Sequence, residues 1–213
     1  MSDERRHHPV FARVYAKVSE LAEGRGGAEH RRKLLAGLSG RVIEIGAGGG
    51  ANFAHYPDTV SEVLAVEPEG YLRERAQDAA ADAAVTVTVV DGDAGRLPGG
   101  EAAFDAGVAA LVLCTVPDPS RALAELFRVI RPGGELRFYE HVVSERPREA
   151  RFQRLADATL WPRLAGGCHL SRDTAAAIER AGFTIETSER FVFSPAPLLP
   201  ADPHILGTAR RAL

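Results

Sequence analysis

The segment Glu44-Ile45-Gly46-Ala47-Gly48-Gly49-Gly50 carries the densest chemical signal in the chain. It follows the apolar run Val42 to Ile45, and glycines at such a place let the backbone turn sharply and approach a ligand closely. Gly46, Gly48 and Ala51 also satisfy the G-x-G-x-x-G/A spacing of dinucleotide sites, so the loop alone is ambiguous. Glu67 ends the next apolar run, roughly twenty residues past Gly46, where a carboxylate can hold both ribose hydroxyls of a nucleoside.

Three neighbours choose the nucleoside. Glu44 can face a cationic amino-acid group, whereas it would sit poorly beside a pyrophosphate. Pro57 ends the next helix early, while dinucleotide phosphates rely on the N-terminus of a longer one. Asp91-Gly92-Asp93-Ala94 follows a third strand, and an acidic side chain there can accept from an adenine amino group, cap a helix, or both. Together these features favour S-adenosylmethionine (SAM), a sulfonium methyl donor, over NAD.

A second reactive set should meet the first at the carboxyl edge of a sheet. Cys114 follows the fourth strand, and Glu140-His141 ends the fifth. Transfer of a sulfonium methyl is an in-line displacement, so alignment dominates and a base is needed only for a protonated acceptor. Ionising a thiol at pH 7 costs about 2 kcal/mol, and an alkyl ammonium about 4.6 kcal/mol. His141 is the expected proton acceptor, directly or through a water, with Glu140 beside it. Tyr15, Cys114, Trp161 and His169 are candidates for the acceptor pocket. Packing explains Tyr15, Cys114 and Trp161 equally well, and His141 also reads as a cap on the strand's backbone. Cys168-His169 resembles a metal pair, but two ligands without partners make a weak site, so no metal is expected.

The elements that must position these residues are legible. From Arg41 the chain alternates strand and helix: strands at Val42–Ile45, Val63–Val66, Val85–Val90, Ala106–Leu113 and Glu135–Val142, with a helix from Tyr71 to Ala83. Alternation of this kind implies a parallel sheet with helices on both faces. Asp118 and Pro119 open a helix whose Leu123, Leu126, Phe127 and Ile130 form one apolar stripe. Residues 148 to 164 read as helical, and Ser171 can cap a helix ending before Gly182. Two strands, Phe183–Phe193 and Ile205–Ala209, flank a proline-rich loop that suits an antiparallel return. Val10, Phe11, Val14, Val18 and Leu21 form a helical stripe near the start. Gly24, Gly26 and Gly27 break it before a second helix, Glu29 to Leu38.

The 213 residues fit one domain with an appendage: a helical cap over 1–40 and a SAM-binding domain over 41–213. A formal charge of -3 argues against a general nucleic-acid binder. No apolar run approaches a membrane span, and two cysteines make no disulfide framework, so a cytoplasmic protein is expected.

The motifs occur in the order of the class I SAM-dependent methyltransferases, which the chain resembles: Glu44 to Gly50, Glu67, Gly92-Asp93-Ala94, Phe104-Asp105, Leu111 to Val116 and Arg131 to Gly134. Within them it is similar to the methyltransferase-like thiol S-methyltransferases through Gly48 to Phe53 with Tyr56-Pro57, Leu111 to Val116, Tyr139 to Val142, Trp161, Gly167 to Leu170 and Pro203 to Ile205. That resemblance implies a Rossmann-like α/β fold, its mostly parallel sheet ending in an antiparallel pair, with an N-terminal helical lid. It implies a small-molecule acceptor, a thiol in preference to a phospholipid amine or a quinone, with a non-catalytic SAM-binding module as the alternative from another class. It also implies a donor site of Glu44, Gly46, Ala47, Gly48, Gly50, Glu67, Pro68, Asp93, Ala94 and Leu111. Animal members of the family begin with a hydrophobic anchor that is missing here, which implies a soluble protein.

Overall fold

The computed structural model describes residues 9–159, 161–197 and 200–213. Among them, seven strands form one sheet: β1 (Gly40–Ile45), β2 (Val60–Val66), β3 (Val87–Val90), β4 (Phe104–Ala110), β5 (Ile130–His141), β6 (Phe183–Phe193) and β7 (Asp202–Arg211). Their spatial order is β3-β2-β1-β4-β5-β7-β6. β1 to β5 are parallel, and β7 runs antiparallel to both β5 and β6. The expected doubly covered sheet and its antiparallel return are therefore present.

The central strands are apolar because helices cover both faces. On one face, α4 (Pro119–Val129) and α7 (Thr174–Arg180) pack Leu123, Leu126 and Ile178 against Ile43, Ala109 and Phe138. On the other, α2 (Ala28–Leu35) and α3 (Gly70–Ala81) join Leu34, Leu35 and Ala76 to Val42, Val63 and Val108. Each leucine fully buried this way contributes about 1.5–3 kcal/mol. Asp118 caps α4 as expected, accepting the Arg121 N–H at 3.0 Å.

Three local expectations are revised. The glycines after α1 (Pro9–Ala22) do not end the helix; a π-helical turn, Glu23–Gly27, carries it into α2 with a kink at Gly26, φ 115°. Leu34 and Leu35 of α2, and Leu38 just after it, lie in the core. Residues 148–164 split into α5 (Pro147–Asp157) and α6 (Trp161–Leu164). Pro162 would clash with the carbonyl four residues earlier in a continuous helix, but a first turn tolerates it. Finally, Asp173, not Ser171, caps α7 by accepting the Ala176 N–H. The Ser171 hydroxyl instead donates to Asp157 at 2.6 Å.

The order places β1 beside β4, where the connections diverge to the two halves of the sheet. Ligands of open α/β sheets bind at that crevice, beyond the carboxyl ends of the strands. Among the described residues, no helix is long and apolar enough to cross a membrane.

Candidate active site

The glycine loop leaves β1 with Gly46, Gly48 and Gly50 all at positive φ, 62°, 58° and 81°. A side chain at Gly46 would stand 2.2 Å from Val112 Cγ2, so glycine lets the loops after β1 and β4 touch. Ala47 is buried, and the Gly46 and Ala47 N–H groups both donate to the Val66 carbonyl.

Glu67 follows β2 directly and is 5% exposed. Its two oxygens accept the Gly48 and Glu69 N–H groups at 2.8 and 2.9 Å. Burial nevertheless raises its pKa. Each oxygen keeps lone pairs for a further donor, as a ribose diol requires. Pro68 follows in a turn clasped by Arg73, whose Nη1 donates to the carbonyls of Glu67 and Pro68. Asp93 Oδ1 accepts the Gly95 N–H at 2.7 Å, making a turn where a helix cap was an open reading. Ala94 packs against the core next to it.

Glu44 is 1% exposed and does not stand open to the crevice. It accepts from Tyr56 Oη at 2.6 Å and Asn52 Nδ2 at 2.8 Å. Asn52 Oδ1 in turn accepts from Arg31 Nη1, and Arg31 Nε pairs with Glu23. Burial pushes the Glu44 pKa up to about 7 against these hydrogen bonds and the Arg31 charge. A buried carboxylate short of a full counter-charge suits a cationic ammonium.

The loop after β4 opens with Leu111 in the left-handed region, φ 57°, its N–H donating to the Tyr139 carbonyl at 2.6 Å. Such a backbone costs a non-glycine residue of order 1 kcal/mol and persists only where the surroundings enforce it. Glu140 supplies the enforcement. Wholly buried, it accepts the N–H groups of Val112, Leu113 and Cys114 at 3.0, 2.8 and 3.2 Å. Burial raises its pKa to about 7. Glu140, the candidate named beside His141, thus has both oxygens engaged with backbone N–H groups, which suits a positioning role. Arg172 braces the same loop from the other side, donating to the carbonyls of Leu113 and Val116 at 2.5 and 2.8 Å.

His141 occupies the opposite face of β5 from Glu140, as strand alternation demands. Its Nδ1 lies 3.7 Å from Cys114 Sγ and 3.7 Å from Cys168 Sγ. Its ring packs on His204 with centroids 4.3 Å apart. Burial alone would lower the His141 pKa, but the Cys168 thiol beside it raises it overall. Within this coupled set the Cys168 thiol is shifted down, by Cys114 and His141, and the Cys114 thiol up, by Cys168 and burial. Trp161 packs in the same apolar group as Cys114 and Cys168, and its buried Nε1 has no partner among the described residues. Cys168 and His169 turn to different partners. His169 leans toward Asp157, Nδ1 to Oδ2 3.9 Å, while its backbone N–H ties the loop to the Cys114 carbonyl at 2.8 Å.

Helix α1 spans both halves. The Tyr15 ring stands 3.4 Å from where a Gly48 Cβ would be, and Phe11 packs against the Gly166 backbone. Tyr15 is buried deeply enough for its pKa to rise to about 12. Asn52 and Tyr56 entered the reading of the sequence only as part of the resemblance, without a role, and Arg31, Arg172 and Asp157 escaped it. Asn52, eight residues past Glu44, carried the most visible signal, since a polar residue in a tight apolar turn needs a partner.

Glycine loop, ribose carboxylate and crossed α/β sheet together define a SAM-dependent methyltransferase of class I. A model of the methyltransferase domain matches residues 43–138. The chain is 37% identical over 184 residues to thiol S-methyltransferase TMT1B of Mus musculus, covering 83% of this chain and 74% of that one. It is 32% identical over 182 residues to human thiol S-methyltransferase TMT1A, covering 82% and 73%. The chain belongs to the thiol S-methyltransferase family of these enzymes. A solved SAM-dependent methyltransferase from Thermotoga maritima shares the fold at a TM-score of 0.70, with 20% identity over 94% of this chain and 96% of that one.

Proposed function

We propose that this methyltransferase acts on small thiols. The observation that carries the reading is the wall of Cys114, His141, Cys168 and Trp161 at the carboxyl edge of β4 and β5. Two polarisable sulfurs, an imidazole and an indole suit a soft, partly apolar acceptor better than a solvated ammonium or a lipid headgroup. Membership of a family whose relatives bear the name thiol S-methyltransferase supports it.

SAM supplies a methyl already activated on a sulfonium, so the protein's work is to hold two partners in line and keep water out. Glu67 and the glycine loop hold the nucleoside, with Pro68, Asp93, Ala94 and Leu111 around it. Glu44, buried at the end of β1 with Tyr56 and Asn52, sets the charge near the amino-acid end without opening onto it. Tyr15 closes over the loop from α1. His141 favours the acceptor in its anionic form, while Glu140 and Arg172 fix the loop carrying Cys114.

A panel of thiols, amines, phenols and quinols, each incubated with methyl-labelled SAM, tests the reading. Labelled thioethers are expected. Turnover confined to an amine, a quinol or a phospholipid would overturn the acceptor class.

A further inference from the structure

We propose that Cys114, His141 and Cys168 form a zinc site, and that the ion takes the acceptor thiol as its fourth ligand. The site stands on its own geometry; only the identity of the fourth ligand rests on the thiol reading above.

The two Sγ atoms and His141 Nδ1 all lie within 4.8 Å of one another, and Nδ1 is 3.7 Å from each sulfur. Ligand bonds of about 2.3 Å to sulfur and 2.0–2.1 Å to nitrogen, spread tetrahedrally, set neighbouring ligand atoms about 3.5–3.8 Å apart. The histidine-to-sulfur distances already match. The three residues come from separate parts of the chain, and backbone contacts hold their three segments together at this point. The Cys114 N–H goes to Glu140 and its carbonyl to His169; the Cys168 N–H goes to the Ala165 carbonyl. His141 is fixed by the β5–β7 ladder and by the His204 ring. Bringing two cysteines and a histidine to one buried point by packing alone would leave two thiols with only weak partners.

Charge also balances. Two thiolates and a neutral imidazole around a divalent ion carry no net charge, which a buried site accommodates at least cost. Entry of a third thiolate leaves one negative charge, and the Arg172 guanidinium, anchored on the carbonyls flanking Cys114, stands ready to offset it. Three protein ligands and one vacant position are the arrangement of catalytic rather than structural zinc. The unpartnered Trp161 N–H in the same packing group supplies a donor for a heteroatom entering there.

The step balances without any change of oxidation state. The acceptor thiol loses its proton to solvent as its sulfur binds zinc. A sulfur lone pair then forms the new bond to the methyl carbon as the carbon–sulfonium bond breaks. The neutral thioether is a poor ligand and leaves, and zinc remains divalent.

The test uses the whole chain, reduced with a phosphine, desalted and titrated with zinc chloride or cobalt(II) chloride. Zinc is expected at about one equivalent per chain, and cobalt should give thiolate-to-metal charge transfer with the visible bands of a tetrahedral site. Cys168→Ser and Cys114→Ser should each lose that stoichiometric binding while retaining affinity for S-adenosylhomocysteine, which shows that they fold. A small thiol should shift the cobalt bands of the parent protein. Substoichiometric zinc, or binding that survives both cysteine variants, overturns the site. Undiminished thiol methylation by metal-stripped protein overturns the role of zinc and leaves the thiol reading intact. A zinc site whose cobalt bands ignore thiols, in an enzyme that methylates only amines, overturns the thiol reading and the fourth ligand while the site itself stands.

Discussion

Glu140 Oε1 accepts the Leu113 N–H at 2.8 Å, so a strand-end carboxylate holds the loop that carries Cys114. The next residue, His141, carries the side chain that meets Cys114 and Cys168. One dipeptide thus builds the site's floor with its first member and its reactive wall with its second.

Glu140→Gln tests the first role. The amide keeps the shape but turns an N–H₂ group toward backbone donors that a carboxylate accepted on both oxygens. Hydrogen bonds to a charged group are worth about 1.5–3 kcal/mol each, and one at least is lost. The variant should be destabilised by about 2–4 kcal/mol in urea unfolding and should turn over more slowly, because Leu111 loses the frame that enforces its backbone. Wild-type stability with abolished turnover would show that Glu140 acts chemically after all.

Glu67→Ala should weaken S-adenosylhomocysteine by about 1.5–3 kcal/mol in calorimetry, since it removes a charged acceptor from the nucleoside. The Gly48 and Glu69 N–H groups also lose their partner, so the loop itself loosens. Unchanged affinity would remove Glu67 from the donor site.

The sheet and the donor loop were legible because their signals are local. Val42 to Ile45 with its glycines, the paired Asp118-Pro119 start, and the stripe Leu123, Leu126, Ile130 each lie within one element, where periodicity and caps act. The acceptor wall was legible only as separate candidates, because the contact of His141 with both Cys114 and Cys168 depends on the β4–β5 pairing and on the loop before α7. The backbone contacts of Glu140 were hidden for the same reason: its partners are three amides some 27 residues away, and backbone donors leave no trace in residue type. Leu111 showed nothing unusual as a leucine, and its strain exists only in the folded loop.

Tyr15→Ala should speed dissociation of S-adenosylhomocysteine several-fold with little loss of global stability. The ring lies over Gly48, and α1 packs on α3 through the small cluster of Ala12, Ala16 and Leu72 rather than through the main core. Elements held by few buried contacts open most readily. Stopped-flow displacement of the product would measure it. An unaltered off-rate would mean that α1 does not gate the donor site.

The last prediction concerns proton linkage at Glu44. Burial raises its folded pKa to about 7 from 4.5. A carboxylate whose folded pKa is raised holds its proton more tightly in the native state, so stability falls as pH rises between the two values. The penalty is absent below about pH 4.5 and complete above about pH 7, and that shift corresponds to about 3 kcal/mol. Glu44→Gln cannot ionise. It forfeits one hydrogen bond within the Tyr56–Asn52 pair at every pH, a constant offset of about 1 kcal/mol. Relative to the parent, the variant should therefore gain about 3 kcal/mol of stability between pH 4.5 and pH 8, whatever the sign of the offset. Glu67 also carries a raised pKa, but it titrates in both proteins and cancels in the difference. An ammonium drawn to Glu44 would lower its pKa again, so binding of S-adenosylhomocysteine near pH 6.5 should release a proton. Calorimetry in two buffers of different ionisation enthalpy would count that proton in the parent and find less of it in Glu44→Gln. A stability gap that stays flat with pH, together with equal proton release in both proteins, would show that Glu44 ionises as an ordinary carboxylate and does not meet the ligand's cation.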